Sequence, residues 1–589
     1  MTTAINSTIE PRFNLVAEPW IPVVWRDGRQ IPGRVSLRNA FAQGTEILDL
    51  AGRPHERVAL LRLLICIAQD ALSGPPTRAA WAKLGPSQDA TFSDLKAKAA
   101  AYLAPHDQAH PEGRFWLFHP THPFLQIAGL CAPAQKETKG RKEESSEVDG
   151  EEGPVSAEKH VELLELRCAR DNTSTLLDQS GGTGRDFSDA ELAVMLLTYL
   201  NFAPGQPEGL ALWDGVEALS RGGKPAKAGK CYAAECPCTV DSAVHAFVHG
   251  QHLLETLHLN LVPANELKRL GFDSDELGQP VWTISATVLR EQTTQSAPRT
   301  TYLQRLAPLS RLAKLNPNRR TMILTNGVEY SPFLYDAQGK RVGISIRLPS
   351  TAFFAQRKKG QETTVDRFVS AEPGKSLWRV LHLVALCRDT AHGGKGPVAL
   401  ANLEDQTQRQ PSKRIRLVAV AMLRNPRSKA KLEDVVESAF EIRAGLMSNE
   451  PAFNDYRDGL GHAEDEAERL QKAVRTYFAA LKEQQRLGDL KRGAAQDFWN
   501  MLEQDAPTLL ALLDAKLDAA GRYASGEIDF TKPANLWGEC VRGAALAAYR
   551  RACPCLNARQ IIAHAEGLGA FDRKPSKNSR KPCAILPRN

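Results

Sequence analysis

With 589 residues, 42% of them apolar and 24% charged, the chain is too rich in core-forming residues to be a disordered polymer and too long to be one small domain. A formal net charge of +7 is too mild to demand an anionic partner, so the placement of the cations has to decide that question. The eleven cysteines stand singly or in two Cys-Pro-Cys triplets (Cys236 to Cys238, Cys553 to Cys555), not in a disulfide framework, and reduced thiols are expected.

The first residues, MTTAINSTIEPRF, lack the basic-then-apolar pattern of a signal peptide. The most apolar run, VALLRLLICIAQDAL, is short and carries Arg62, so a soluble, cytoplasmic protein with no membrane partner is expected. WIPVVW followed by Asp27-Gly28 reads as a strand and a tight turn. Pro19 and Pro22 suggest an edge strand, with Trp20 turned into the core. Ser36 can cap a short helix, LRNAFAQ. Pro54 to Leu72 is apolar nearly all round except for Arg62, the mark of a buried helix. The prolines of His119 to Ile127 favour extended structure.

Cys131 to His160, with its charge of both signs and many glycines, reads as a disordered insertion. A polar loop, CARDNTSTLLDQSGGTGRDF, leads to Ser188, which caps the helix DAELAVMLLTYLNF; Ala203-Pro204-Gly205 ends it. An amphipathic helix is expected around HLLETLHLNLV. Trp282 to Ser412 mixes strand-like runs (RTMILT, RVGISI) with one helix, SLWRVLHLVALC. Beyond Pro411, RIRLVAVAM alternates as a strand and helices then dominate. Ala463, Ala467, Leu470, Val474, Tyr477 and Leu481 recur at coiled-coil spacing. TLLALLDAKLDAA, NLWGECVRGAALAAYRRA and KLEDVVESAFEI are read as its partner helices. The fold class is therefore α+β: a large mixed α/β domain over residues 1–411, a four-helix bundle over 412–570 preceded by a strand and a loop, and a basic tail over 571–589.

No catalytic motif emerges. The Gly394-Lys395 pair has Asp389 and Gly396 where a Walker A loop needs Gly and Ser or Thr. Gly181 to Gly184 is glycine-rich before a helix, which alone is a weak phosphate signal. Cys231, Cys236 and Cys238 form one cluster, where tetrahedral zinc would need a distant fourth ligand. No metal, no cofactor and no enzymatic activity are expected; a zinc-supported nuclease and a general RNA-binding scaffold are the alternatives. Cationic loops are more informative: Asn318-Arg319-Arg320, Arg357 to Gly360, and Arg424 to Lys429 offer the long charged arms and small neighbours that phosphates need.

The ordered set FNLVAEPWIPV, VSLRNAF, ERVALLRLLICIAQ, HPFLQ, HLLETLHLNLV and FWNMLE resembles the large subunit of type I-E Cascade, the CasA family, over nearly the whole chain. The resemblance implies a noncatalytic subunit that works with the other Cascade subunits and the guide RNA. Such a subunit reads the protospacer-adjacent motif in double-stranded target DNA, starts strand separation and R-loop formation, and recruits a helicase-nuclease. It implies that the loop containing Gly205, Gln206 and Gly209 approaches the minor groove, that Arg320 or Arg319 enters it, and that Asn172, Thr175, Leu176, Leu177 and Gln179 dock on the guide's handle. A strand-separating wedge falls on Asn425, Arg427, Ser428 and Lys429. Lys429 stands where relatives carry glutamine, and its ammonium cannot copy an amide's paired donor and acceptor.

Overall fold

The computed structural model describes residues 10–572 except 108–112, 134–156, 167–184, 206–207, 218–229, 232–233, 296–297, 337, 339, 358–363, 387–395, 405–408, 426–431, 448, 484–486, 525, 527 and 533–534. The chain groups into two compact units, one of residues 1–349 and 420–437, the other of residues 350–419 and 438–589. The sequence-based boundary at 411 assigns 350–411 to the first domain, whereas contacts group 350–419 with the C-terminal helices.

In the first unit, strand β1 (Ile21–Trp25) lies between β2 (Arg34–Val35) and β3 (Ile47–Leu50) in a three-stranded antiparallel sheet. The expected edge strand is thus a central one. Pro22 is tolerated there because the chain after β3 uses its carbonyl and not its missing N–H: Ala51 N donates to Pro22 O at 2.9 Å. Trp20 is fully buried, as expected, and its Nε1 donates to Leu15 O at 2.9 Å. Gly28, at φ +77°, closes the turn after β1 in a conformation that favours glycine.

Helix α1 (Pro54–Ala71) is buried along most of its length. Its one anomalous charge, Arg62, is 2% exposed. Arg62 Nε donates to Asn201 Oδ1 at 3.0 Å, and Nη2 also bonds the carbonyl of Arg305. The charge is retained because its donors are satisfied inside the core. The ends of the expected disordered insertion are ordered instead. Leu130–Cys131 pairs with Leu212–Trp213, and β4 (Glu158–His160) pairs with a strand of the central hairpin. Backbone ladders hold them where local composition is polar; residues 134–156 lie outside the described residues.

Helix α2 (Asp189–Phe202) begins at Ser188, whose hydroxyl accepts from Glu191 N while Glu191 reaches back to Ser188 N at 2.8 Å. After it come β5 (Glu208–Gly209), β6 (Lys230–Cys231) and β7 (His245–His249), and then the hairpin of β8 (Arg311–Leu315) and β9 (Thr321–Asn326). Strands β8, β9 and β4 form one antiparallel sheet, and β5 pairs with β6. Two long strands, β10 (Arg414–Arg424) and β11 (Leu432–Arg443), each contribute residues to both units.

From Leu432 on, KLEDVVESAFEI therefore runs as strand β11 and not as a bundle helix. Its valines and alternating charges suit a half-exposed strand, and its burial alternates along much of its length. In the second unit, α3 (Glu450–Ala480), α4 (Leu487–Ala515) and α5 (Leu536–Ala552) pack with α6 (Ala558–Asp572), the fourth helix that the sequence reading missed. The expected seam of α3 holds: Ala463, Ala467, Leu470, Val474, Tyr477 and Leu481 are all buried. Trp537 donates to Gly459 O at 2.9 Å, and the Arg379 guanidinium lies 3.7 Å from the Trp499 ring centroid. Within SLWRVLHLVALC, Leu377–Val380 forms a 3-10 turn and His382–Leu386 a π turn where one regular helix was expected.

Candidate nucleic-acid interface

The β8–β9 hairpin carries the described part of the predicted DNA-contacting cations. Asn316 N donates to Thr321 O at 3.0 Å, and Asn316 Nδ2 donates to Thr321 Oγ1 at 2.6 Å. Asn318 Oδ1 accepts from Arg320 N at 2.9 Å, the side-chain-to-backbone bond that makes asparagine a turn residue. Arg319 adopts φ +60°, a left-handed conformation uncommon outside glycine and asparagine. Pinned in this way, Arg319 and Arg320 stay 47% and 67% exposed.

Neither guanidinium stands alone. Arg320 Nη2 lies 3.4 Å from Asp186 Oδ1, and Arg319 Nε lies 3.6 Å from Asp189 Oδ1, at the first residue of α2. Arg12 joins them with Nε 3.4 Å from Asp189 Oδ2, Nη2 donating to Pro317 O at 3.2 Å, and its guanidinium 4.2 Å from the Phe118 ring centroid. Three arginines therefore face two carboxylates, and the patch remains cationic. The Arg320–Asp186 pair is exposed at both ends and contributes on the order of 0.2–1 kcal/mol, whereas Asp189, 14% exposed, holds Arg12 and Arg319 from a mostly buried position.

The glycine-containing loop is anchored at the opposite end of β8, the length of a five-residue strand away, roughly 17 Å. Arg311 is fully buried and joins the two ends of the loop: Nη2 donates to Pro204 O at 2.6 Å, and Nε to Glu208 Oε1 at 3.1 Å. Burial pushes the Glu208 carboxyl up, and the adjacent Arg311 charge offsets part of that shift. Gly209 is buried in β5 opposite Lys230, and its carbonyl accepts from Thr325 Oγ1 at 2.7 Å. Gly205 is half-buried, and Gln206 lies outside the described residues.

Among the other predicted residues, Asn425 is half-buried and its Nδ2 donates to Glu433 Oε1 at 2.7 Å. Arg427, Ser428 and Lys429 lie outside the described residues, as do Asn172, Thr175, Leu176, Leu177 and Gln179. Cys236 Sγ donates to Ser310 Oγ at 3.1 Å, and burial pushes the Cys238 thiol up to about 11. Among the described residues no three His, Cys, Asp or Glu side chains are grouped to hold a metal ion. No helix among them is long and apolar enough to cross a membrane.

The family model of CRISPR-associated protein Cse1 matches residues 14–548. The chain belongs to the Cse1 family. A curated relative of this Cse1-family chain, CRISPR-associated protein CasA/Cse1 of Thermus thermophilus, is 26% identical over 577 residues, covering 95% of this chain and 97% of the relative. The crystal structure of Cse1 from Acidimicrobium ferrooxidans superposes with a TM-score of 0.67 at 21% identity, covering 95% of this chain and 97% of that one. A chain of a CRISPR RNA-guided surveillance complex shares the fold with a TM-score of 0.59 at 16% identity, covering 96% of this chain and 100% of that one.

For this Cse1-family member, sequence reasoning picked out the exposed turn but missed the groups that hold it. Arg12 lies in an N-terminal strand, and Asp189 reads as an ordinary acidic first-turn residue beside the Ser188 cap. The Glu208–Arg311 pair joins positions 103 residues apart, and no local spacing signals it. The one available hint was that a charged residue opens the apolar run RLAKL.

Proposed function

We propose that this chain is the noncatalytic large subunit of a guide-RNA surveillance complex. In this role it recognises a short flanking motif in double-stranded target DNA, begins strand separation and R-loop formation, and recruits the helicase-nuclease that cuts. Family membership over residues 14–548 is the observation that carries the reading. The exposed Arg319-Arg320 turn adds the chemistry: two cations on a rigid hairpin tip suit phosphates or a narrow minor groove. Guide pairing supplies most of the sequence specificity, so the protein needs only a few base-pair contacts near the loop around Gly205 and a wedge at Asn425 to Lys429. The 172–179 segment is proposed to dock on the guide's handle.

The test is to assemble the full chain with guide RNA and the remaining subunits, then to measure binding to labelled duplexes randomised at the base pairs flanking the target. Strong preference among flanks and no cleavage in divalent metal without added nuclease are the expected results. Equal binding to all flanks would replace this reading with a general RNA-binding scaffold. Cleavage by the complex alone would make the protein or a partner an enzyme.

A further inference from the structure

We infer that Arg311 is a positioning residue: by bonding Pro204 and Glu208 at once, it fixes Pro204-Gly205 against Glu208-Gly209 and with them the recognition of the flanking base pairs. The inference rests on the reading that this loop meets target DNA. Arg311 is the first residue of β8 and is 0% exposed. Its donors reach Pro204 O at 2.6 Å, Glu208 Oε1 at 3.1 Å, and Ala234 O and Ser310 O at 2.8 Å each. Two of these acceptors bracket Gly205. Thr325, from the next strand, adds a third tether by donating to Gly209 O at 2.7 Å.

The same corner fixes the end of α2. Ser310 Oγ donates to Leu200 O at 2.6 Å, and Cys238 N donates to Asn201 O at 3.3 Å, so carbonyls of the last helical turn are occupied. The end of α2 is thus held on one side of Gly205, and β5, which is paired with β6, is held on the other. A buried ion pair is weak evidence of a stabilising role, since apolar replacements of both partners are often neutral or better. What the pair supplies here is a planar fork that joins two points of one loop in a fixed geometry, which a point charge does not reproduce. Loop ends fixed before DNA arrives lose less conformational freedom on binding, and they hold their contacts against the wrong base pairs.

The experiment compares three variants in the assembled complex on the same flank-randomised duplex library: Arg311→Met with Glu208→Gln, Arg311→Lys, and Thr325→Val. The first removes both charges together, so no uncompensated ion is left in the core. The readouts are the ratio of affinities for the best and the average flank, the thermal transition, and binding to a fully unwound target that bypasses flank recognition. Each variant is expected to lower the ratio by roughly fivefold or more, the lower part of what one misread base pair costs, with affinity for the unwound target unchanged. Arg311→Lys should fail to restore the ratio although it keeps the charge.

An unchanged ratio in folded variants would overturn the assignment, and so would parallel losses on flanked and unwound targets, because those belong to a purely structural role. Loss of assembly in all three variants would equally make the clamp a folding element. If the unsubstituted complex shows no flank preference, the proposed function itself fails, and that outcome is distinguishable from failure of the variants alone.

Discussion

Asp189 Oδ1 lies 3.6 Å from Arg319 Nε, and the same carboxylate's other oxygen lies 3.4 Å from Arg12 Nε. An acidic group at a helix start is worth about 0.3–1 kcal/mol to the helix; if this turn meets DNA, as proposed, the same group competes for the cations beside it. A phosphate that draws these guanidiniums away would do so at the expense of their pairs with Asp189. Asp189→Asn should therefore raise affinity for duplexes of arbitrary flank about three- to tenfold at low salt, and the gain should shrink as salt rises. Anisotropy titrations at several salt concentrations would measure it. Unchanged affinity would mean that the pair is not in competition with DNA.

Replacing Arg319 and Arg320 together by Ala should act in the opposite sense. Each phosphate contact contributes about 0.9 to the slope of log affinity against log salt, so the slope should flatten by up to about 2 and target binding should weaken. The turn's own bonds run through Asn316, Asn318 and Thr321, so folding should be retained. Equal slopes for the two proteins would remove these arginines from the interface.

Acidification should destabilise the protein through buried imidazoles. His55, His245 and His382 each have their pKa pushed down to about 3 because burial penalises the charged ring. The unfolded chain binds protons at these sites near pH 6.5 while the folded chain does not. Their stabilising contribution is thus complete above about pH 6.5 and is lost progressively as pH falls toward 3. His382 packs against Phe453 and Tyr456 of α3, with ring centroids at 5.3 and 5.8 Å. His382→Phe should leave the unfolding free energy near its original value at pH 7 and reduce its loss between pH 6 and 4 by about 1.4 kcal/mol per pH unit. Chemical denaturation at stepped pH decides it; an unaltered pH dependence would show that His382 protonates in the folded state.

Gly567 lies on α6, where a Cβ would fall 2.0 Å from Tyr549 Oη and 2.9 Å from the Ala473 carbonyl on α3. Alanine is the better helix former by about 1 kcal/mol, so propensity alone predicts stabilisation of Gly567→Ala. The backbone contact reverses the sign. Separating α6 from α3 and dislodging the Tyr549 hydroxyl from His564 O should give a net loss of about 1–3 kcal/mol. A raised thermal transition would show that the bundle relaxes freely there.

Periodicity carried the reading wherever a single face decides burial. The α3 seam and the buried Pro54–Ala71 helix are of that kind. It failed where tertiary pairing overrode local pattern: KLEDVVESAFEI carries enough alternation to be a strand, and α6 buries Ala563 and Phe571 while its larger aliphatic residues Ile561 and Ile562 are exposed. Pro22 misled in the same way, because whether a strand is an edge depends on partners elsewhere in the chain. At the candidate site, Arg319 and Arg320 were legible because turn chemistry is local. The carboxylates opposing them are more than 120 residues away in sequence, and only folding brings them into register. Arg62 stood out as an anomaly, but its partners Asn201 and Arg305 were invisible.

The division of β10 and β11 between the two units sets an order of events during synthesis. The first unit includes residues 420–437, among them Glu437, which pairs with Arg57, and Arg424, whose backbone N–H donates to Ser242 Oγ at 3.1 Å. When residue 349 leaves the ribosome these partners do not yet exist, and at roughly 5–20 residues per second they follow several seconds later. The nascent chain must hold an incomplete first unit through that interval, with strand β7 lacking its neighbour β10. An open strand edge of this kind is where a growing chain is most prone to pair wrongly.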